Sequence, residues 1–380
     1  MSLETNHNQF ISRQNQLYQS MQSAGLDALV INPGPTMVYL TGLHFHLSER
    51  PAVVLFVPGA TPAVIFPELE MIKIKTLPYP VRSFPYGEDP RTWGGVFRLA
   101  TQACGIVHSR VGVEPRALRV LELRLLEAGA PQAEFVSAEE TLAFLRMRKD
   151  ASEVSFMQKA VDIAQRGLEA TIPFLQAGKS EKEIAAELTL QLLKAGSDAS
   201  IPFSPIVASG PNSANPHATP TERVLTPGDL LIIDWGASYN GYISDLTRCF
   251  AIGQVEAEFE QIAKIVIEAN AAGRAAARPG ITAGEVDTIT RAVIVQAGYG
   301  EYFTHRTGHG IGMEGHEAPY IYKENTIPLA PGMAFTIEPG IYLPGRGGVR
   351  IEDDIVITEN GAQSLSDLPR ELFYINANSG

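Results

Sequence analysis

Residues 225–252, LTPGDLLIIDWGASYNGYISDLTRCFAI, place two apolar runs on either side of Asn240-Gly241. An Asn-Gly pair between such runs is the strongest short-range hairpin signal, because both turn residues need positive φ. With those two residues as the loop, Tyr239 pairs with Tyr242 and Gly236 faces Asp245. Asp234 then lies on the same face as Asp245 and diagonally adjacent to it. Two carboxylates meeting inside apolar sequence are costly unless a cation lies between them. No lysine occurs in the stretch, and parity puts Arg248 on the opposite face, so a metal ion is the economical cation. A hairpin with two solvated aspartates is the competing reading for this segment taken alone.

The same pattern recurs downstream. LTPGDLLIIDWG (225–236) matches LAPGMAFTIEPG (329–340) at an offset of 104. Upstream of each, Gly178, Ser180, Glu183, Ile184, Ala195 and Gly196 are matched by Gly280, Thr282, Glu285, Val286, Ala297 and Gly298, each 102 positions on. Ser180 with Glu183 and Thr282 with Glu285 are helix capping boxes. Helix, glycine stop, Pro-Gly turn and carboxylate-tipped strand follow in one order twice, which reads as an internal duplication. Each half brings an acidic strand to a shared axis, with Glu338 standing where Asp234 stands. A further acid follows in GVRIEDDIVIT (348–358), where alternation puts Glu352 and Asp354 on one face and Asp353 on the other. The longer turn LPGRGG leaves the register open, so parity does not choose between Glu352 and Asp354. Loss of Asp353 is expected to matter much less than loss of Asp245.

Four carboxylates and a histidine balance two divalent ions, and an oxygen-rich set suits manganese better than a thiolate site would. Three histidines, His305, His309 and His316, cluster in THRTGHGIGMEGHEAPY (304–320). His305 and His309 have helical ligand spacing, but Gly308 and Gly310 argue against a helix, and the His-Glu-x-x-His motif is absent. Gly178-Lys179-Ser180 imitates the end of a phosphate-binding loop, yet that motif needs glycine at 173, where Pro173 stands.

The 380 residues suit two domains. Residues 52–67 read as two strands around a Pro-Gly turn, RVGVEP (110–115) as another strand and 117–128 as a helix, an α/β unit. A charged cluster at 146–150 precedes a long amphipathic helix starting near Ser152. The domains are therefore drawn as 1–148 and 149–380. No run reaches the roughly 18 apolar residues of a membrane span, and the start MSLETNHNQFISRQNQLYQS is polar. With two cysteines, Cys104 and Cys249, this suggests the reducing cytoplasm. The formal charge of -12 and the lack of a basic run argue against nucleic acid as a partner.

The runs DWGASYNGYISDLTR, HRTGHGIGMEGHE, TIEPGIY and GVRIEDD, in this order, resemble the creatinase-like pita-bread metallopeptidases, specifically prolidase and aminopeptidase P. YLTG (39–42) resembles that family's N-terminal domain. The resemblance implies an α+β chain: a pseudo-two-fold pita-bread domain behind an N-terminal α/β, ribonuclease-H-like domain. It implies Asp234, Asp245, His309, Glu338 and Glu352 as ligands of two divalent ions, with Asp245 and Glu352 bridging. It also implies His217, in ANPHATPTER (214–223), and His316 as substrate-pocket residues, and Arg350 as a support. The expected activity is a dinuclear-metal peptidase cleaving Xaa-Pro dipeptides, with manganese, or cobalt or zinc, as metal. Glu338 would also shuttle the proton. Aminopeptidase P action on longer Xaa-Pro peptides, or hydrolysis of a non-peptide C–N bond, are the alternatives. A binding module that has lost the chemistry is disfavoured by the intact ligand set. The expected partners are a short proline-containing peptide and a second copy of the chain. In that homodimer His44, His46 and Arg50 would approach the site.

Overall fold

The computed structural model describes residues 3–376 and divides between Arg146 and Met147 into two units. In the first, the β-branched runs become β1 (Ala28–Ile31), β2 (Val53–Phe56), β3 (Ala63–Pro67), β4 (Arg82–Tyr86), β5 (Arg110–Val113) and β6 (Glu134–Ser137). Among the described residues they form one mixed sheet in the order β4-β3-β2-β1-β5-β6. Gly59 turns the chain between β2 and β3 at φ 78°, a left-handed conformation that a β-carbon would strain. Helices Pro90–Ala103 and Val120–Gly129 bury Trp93, Phe97 and Leu126 against Val30, Val53, Ile65 and Val111. In the loop after YLTG, Arg50 pairs with Glu88 at 2.8 Å and Glu49 at 2.7 Å, and Lys73 donates to the His44 carbonyl.

The second unit is built twice from one plan. Its first half holds helices Ala151–Thr171 and Glu181–Ala195, then β7 (Ile206–Ser209), β8 (Leu230–Trp235), β9 (Ser238–Tyr239), β10 (Tyr242–Ile243) and β11 (Leu246–Ile252). Its second half holds helices Ala257–Ala276 and Ala283–Gln296, then β12 (Gly308–Gly310), β13 (Glu317–Ile321), β14 (Ala334–Ile337), β15 (Gly340–Leu343), β16 (Gly347–Arg350), β17 (Asp353–Thr358) and β18 (Gly361–Ser364). A last strand, β19 (Phe373–Ile375), closes the edge of the first sheet, whose order is β19-β11-β8-β7; the second runs β13-β12-β14-β17-β18.

Both capping boxes form, with Glu183 Oε2 accepting from the Ser180 amide and Glu285 Oε2 from the Thr282 amide, each at 2.8 Å. The Gly178 amide donates to Leu225 O at 2.9 Å, and its counterpart Gly280 to Leu329 O at 2.8 Å. Two helices of each half lie close because a glycine faces the contact: Gly167 against Leu192, Gly273 against Thr290.

The hairpin keeps one register from its turn to the far end of β8. Tyr239 pairs with Tyr242, and Asp234 with Thr247, so Asp245, two residues before Thr247, shares a face with Asp234. The opposite face is packed by ions of the other arrangement. Arg248 is fully buried and donates to Asp353 at 2.9 Å, and Arg370 reaches the same carboxylate at 2.7 Å. Burial alone would raise the Asp353 carboxyl, but Arg248 and Arg370 outweigh it and hold it down at about 2.

Asp353 therefore belongs to a buried ion-pair network. It lies away from Asp234 and Asp245, but its loss strands a buried guanidinium. Asp353→Asn should lower unfolding free energy by about 3–5 kcal/mol in urea titrations. The folded fraction should still take up divalent metal, measured by elemental analysis.

Candidate metal centre

The ends of five strands converge on a cavity of 550 Å³ within the second unit. β8 brings Asp234, the turn into β11 brings Asp245, β12 brings His309, and the segments after β14 and β16 bring Glu338 and Glu352. One oxygen each from Asp245 and Glu352 and one nitrogen of His309 lie within 4.8 Å of one another. His309 Nε2 is 3.4 Å from Glu338 Oε1 and 3.8 Å from Asp245 Oδ2. All five side chains line the one cavity.

His309 reaches this point because Gly308 lets β12 press against β14. A β-carbon at Gly308 would lie 1.9 Å from the Thr336 carbonyl oxygen. The His309 amide then meets Thr336 Oγ1 at 3.2 Å, and Thr336 reaches on to Glu338. Burial first, and His316 second, pull the His309 imidazole down to about 3, so it is neutral. Its Nδ1 faces the Gly310 carbonyl at 3.2 Å, which assigns the proton to Nδ1 and leaves the Nε2 lone pair facing the acids. The short contacts to Glu338 and Asp245 are therefore a donor set converging, not ion pairs.

The carboxylates crowd one another. Burial and then Glu352 and Asp234 drive the Asp245 carboxyl far above its ordinary range. Burial and Glu338 do the same to Glu352. Burial raises Glu338 to about 8 against the opposing pull of Arg350. Asp234 Oδ1 is buried with no hydrogen-bond partner. An orphaned carboxylate oxygen, a neutral imidazole lone pair and three mutually repelling acids are what a divalent-cation site requires, and the donor set fits hard or borderline metals.

Arg350 is the fixed cation beside these acids. It is 2% exposed and donates from Nη2 to Asp234 Oδ2 at 2.6 Å and from Nε to Thr247 Oγ1 at 3.1 Å. Thr247 in turn donates to Glu352 Oε2 at 2.6 Å. The register left open in sequence is set here: Thr247 bridges to Glu352, while Asp354 Oδ2 is taken by the Asp245 amide at 3.0 Å.

The other expected residues surround this cluster. His316 packs against His309 with ring centroids 3.9 Å apart and planes tilted by 45°, and Arg306 Nη2 donates to its Nδ1 at 3.3 Å. His217 lines the cavity from the segment that follows β7, and Pro202, Phe203, Ile206 and Pro216 form an apolar wall.

Several site residues escaped the sequence reading. Thr247 shares its parity with Asp245, and Thr336 with Glu338, so alternation carried a signal for both. Tyr342 had none in the sequence: its hydroxyl accepts from Arg350 at 2.9 Å and meets His305 Nε2 at 2.8 Å.

A site of buried carboxylates and a histidine at the centre of a duplicated fold defines a metal-dependent hydrolase. Residues 155–359 match metallopeptidase family M24, and residues 13–148 match the creatinase/prolidase N-terminal domain. The chain belongs to metallopeptidase family M24 and is a peptidase. It is 38% identical over 364 residues to a probable dipeptidase PepE of Mycobacterium tuberculosis, covering 93% of each chain. It is 35% identical over 357 residues to an Xaa-Pro dipeptidase of Pyrococcus horikoshii, covering 94% of this chain and 97% of that protein. The structure of a prolidase from Thermococcus sibiricus superposes with a TM-score of 0.91 at 31% identity, over 96% of this chain and 99% of the other.

The metal-stripped protein should show the repulsion directly. Glu338, with a folded value near 8 against an ordinary 4.5, binds more protons folded than unfolded in that interval. Stability of chelator-treated protein should therefore be greatest toward acid and fall as pH rises through 8, read as midpoint shifts in urea. Added divalent metal should raise the midpoint most at the alkaline end.

Proposed function

We propose that this peptidase hydrolyses the bond before proline in Xaa-Pro dipeptides, with Asp234, Asp245, His309, Glu338 and Glu352 holding two divalent ions. The observation that carries the reading is the convergence of Asp245, Glu352 and His309 beside the orphaned Asp234 oxygen, at the floor of a cavity with an apolar wall. Bound there, two ions supply an activated water and polarise the scissile carbonyl.

The chain's own groups do the rest. Phe203, Ile206 and Pro216 offer an apolar surface to a pyrrolidine ring, which has no N–H to satisfy. Arg306, by donating to His316 Nδ1, leaves the His316 Nε2–H free to donate to the substrate carbonyl oxygen. His217 faces the same substrate from the opposite segment. Glu338 takes a proton from the attacking water and delivers it to the leaving proline nitrogen. Arg350 holds Asp234 and, through Thr247, Glu352.

The same reading extends to manganese as the metal, since four of the five donors are carboxylates. It extends to a homodimer whose loop 43–50 brings His44, His46 and Arg50 toward a site, and to a reducing, cytoplasmic setting, which the free thiols of Cys104 and Cys249 favour. A second reading, cleavage of longer Xaa-Pro peptides, is favoured by nothing specific in the cavity, whose 550 Å³ suits a small ligand.

Turnover of Xaa-Pro dipeptides against Xaa-Pro-containing tetrapeptides and Xaa-Ala dipeptides, with manganese, cobalt or zinc restored to metal-free enzyme, decides the matter. Preference for the dipeptide with proline supports the reading; equal turnover of Xaa-Ala removes it. Asp245→Ala should lose metal and activity together. His316→Ala should lower kcat on the order of a hundredfold with metal content unchanged. Metal loss in that variant would move His316 into the ligand set.

A further inference from the structure

Glu181 lies outside the cavity, at the first turn of helix Glu181–Ala195, and its side chain is fully buried. Among the described residues its hydrogen bonds all come from one segment of chain, while the nearby Arg223 guanidinium donates to Ser209 Oγ at 2.6 Å. Its Oε1 accepts from the Ser209 amide at 2.7 Å and the Ser209 hydroxyl at 2.8 Å. Its Oε2 accepts from the Thr221 amide at 2.9 Å and the Thr221 hydroxyl at 2.6 Å. Asn212 Nδ2 reaches both oxygens at 3.1 Å. One buried carboxylate thus ties together the two ends of residues 209–221, and the middle of that segment presents Pro216 and His217 to the cavity. The inner edge is fixed separately, by Arg350 Nη1 to the Pro216 carbonyl at 3.3 Å and by the Gly348 amide to Ser213 Oγ at 2.9 Å.

The duplication shows that this carboxylate is not a requirement of the fold. At the offset of 102 the partner of Glu181 is Ala283, although the backbone contacts are kept: Glu181 N donates to Arg223 O and Ala283 N to Ile327 O, both at 3.0 Å. In the second half the acid stands one turn later, at Asp287, whose counterpart is Ala185. Asp287 accepts from the Thr307 hydroxyl at 2.7 Å and from Arg291, which donates onward to the carbonyls of Phe303 and His305. Each half therefore hangs a cavity-lining segment from a buried helix carboxylate, by a different residue.

We infer that Glu181 is a positioning residue for catalysis, acting chiefly through the placement of His217 by the segment 209–221, since the neighbouring Pro216 is held independently by Arg350. This rests on the substrate-facing role proposed for His217. Hydrogen-bond accounting makes Glu181→Gln the incisive change, because an amide presents N–H groups to amide donors that need an acceptor.

The test is a double-mutant cycle with His217→Ala on the metal-loaded enzyme, scored as kcat/KM for an Xaa-Pro dipeptide with metal content and melting temperature recorded. Glu181→Gln should lower kcat/KM on the order of ten- to a hundredfold alone and have almost no further effect in the His217→Ala background. Equal factors in both backgrounds would overturn the inference, as a merely structural role would cost activity in each. If His217→Ala leaves kcat/KM unchanged, the inference also falls, while the Xaa-Pro reading stands on wild-type turnover alone. Should Glu181→Gln fail to fold, Thr221→Val removes the hydroxyl bond to Glu181, together with those the hydroxyl accepts from Asn212 Nδ2 and the Arg223 amide, and runs through the same cycle.

Discussion

Mutual repulsion among buried carboxylates is the constraint to which the second unit answers. Asp234, Asp245, Glu338 and Glu352 share one cavity, and three of the four are raised far above their ordinary range by burial and by one another. A fold that gathered these groups without compensation would spend several kcal/mol of a margin that is only about 5–15 kcal/mol in total. Arg350 offsets part of the repulsion, touching Asp234 directly and Glu352 through Thr247. Its own charge is secured in return: burial opposes it, and the surrounding Tyr342, Asp234, Glu352 and Glu338 outweigh burial. One guanidinium cannot neutralise four acids, and the remainder is the affinity for divalent cations.

The two-residue period of the strands separates that strain from the protein's permanent ion pairs. On β11, Thr247 faces Glu352 and the neighbouring Arg248 faces away; after β16, Glu352 faces the cavity and Asp353 faces away. Arg248 and Asp353 meet on the far side, where paired charges with Arg370 and Ser366 are fully satisfied. Adjacent residues of like type thus have opposite duties. Glu352 is left among crowded acids that raise it, whereas Asp353 is saturated by cations and clamps the two halves.

Much of this was legible in the residues. The Asn240-Gly241 turn fixed the pairing of Asp234 and Asp245 because a two-residue loop admits one register, and Asn240 and Gly241 adopt the positive φ that such a turn needs. The two capping boxes and the Pro-Gly turns announced the duplication because each is a local motif with its own sequence signature. Glu352 could not be separated from Asp354 by parity, since the turn between β15 and β16 is longer and the choice depends on a bridge to Thr247 across the sheet. The roles of Tyr342, Arg306 and Glu181 were not legible either. They depend on contacts between segments 37, 10 and 28 to 40 residues apart, which no local pattern encodes.

Duplication by itself explains a symmetrical cradle, but the chemistry needs an asymmetrical one. Equivalent strand tips carry Asp234 and Glu338, which differ by one methylene in reach, and only the second half supplies a histidine ligand candidate, on a strand that Gly308 brings close to its neighbour. The cavity-lining segments diverge further, one carrying His217 and hung from Glu181, the other carrying His305 and Arg306 and hung from Asp287. The positions that stayed alike are those closing the backbone, such as Gly178 with Leu225 and Gly280 with Leu329. The positions that diverged are those setting how far a side chain reaches into the cavity. Backbone closure has to be the same twice for two halves to share an axis, whereas a peptide bond has two unlike ends and needs unlike groups on either side of it.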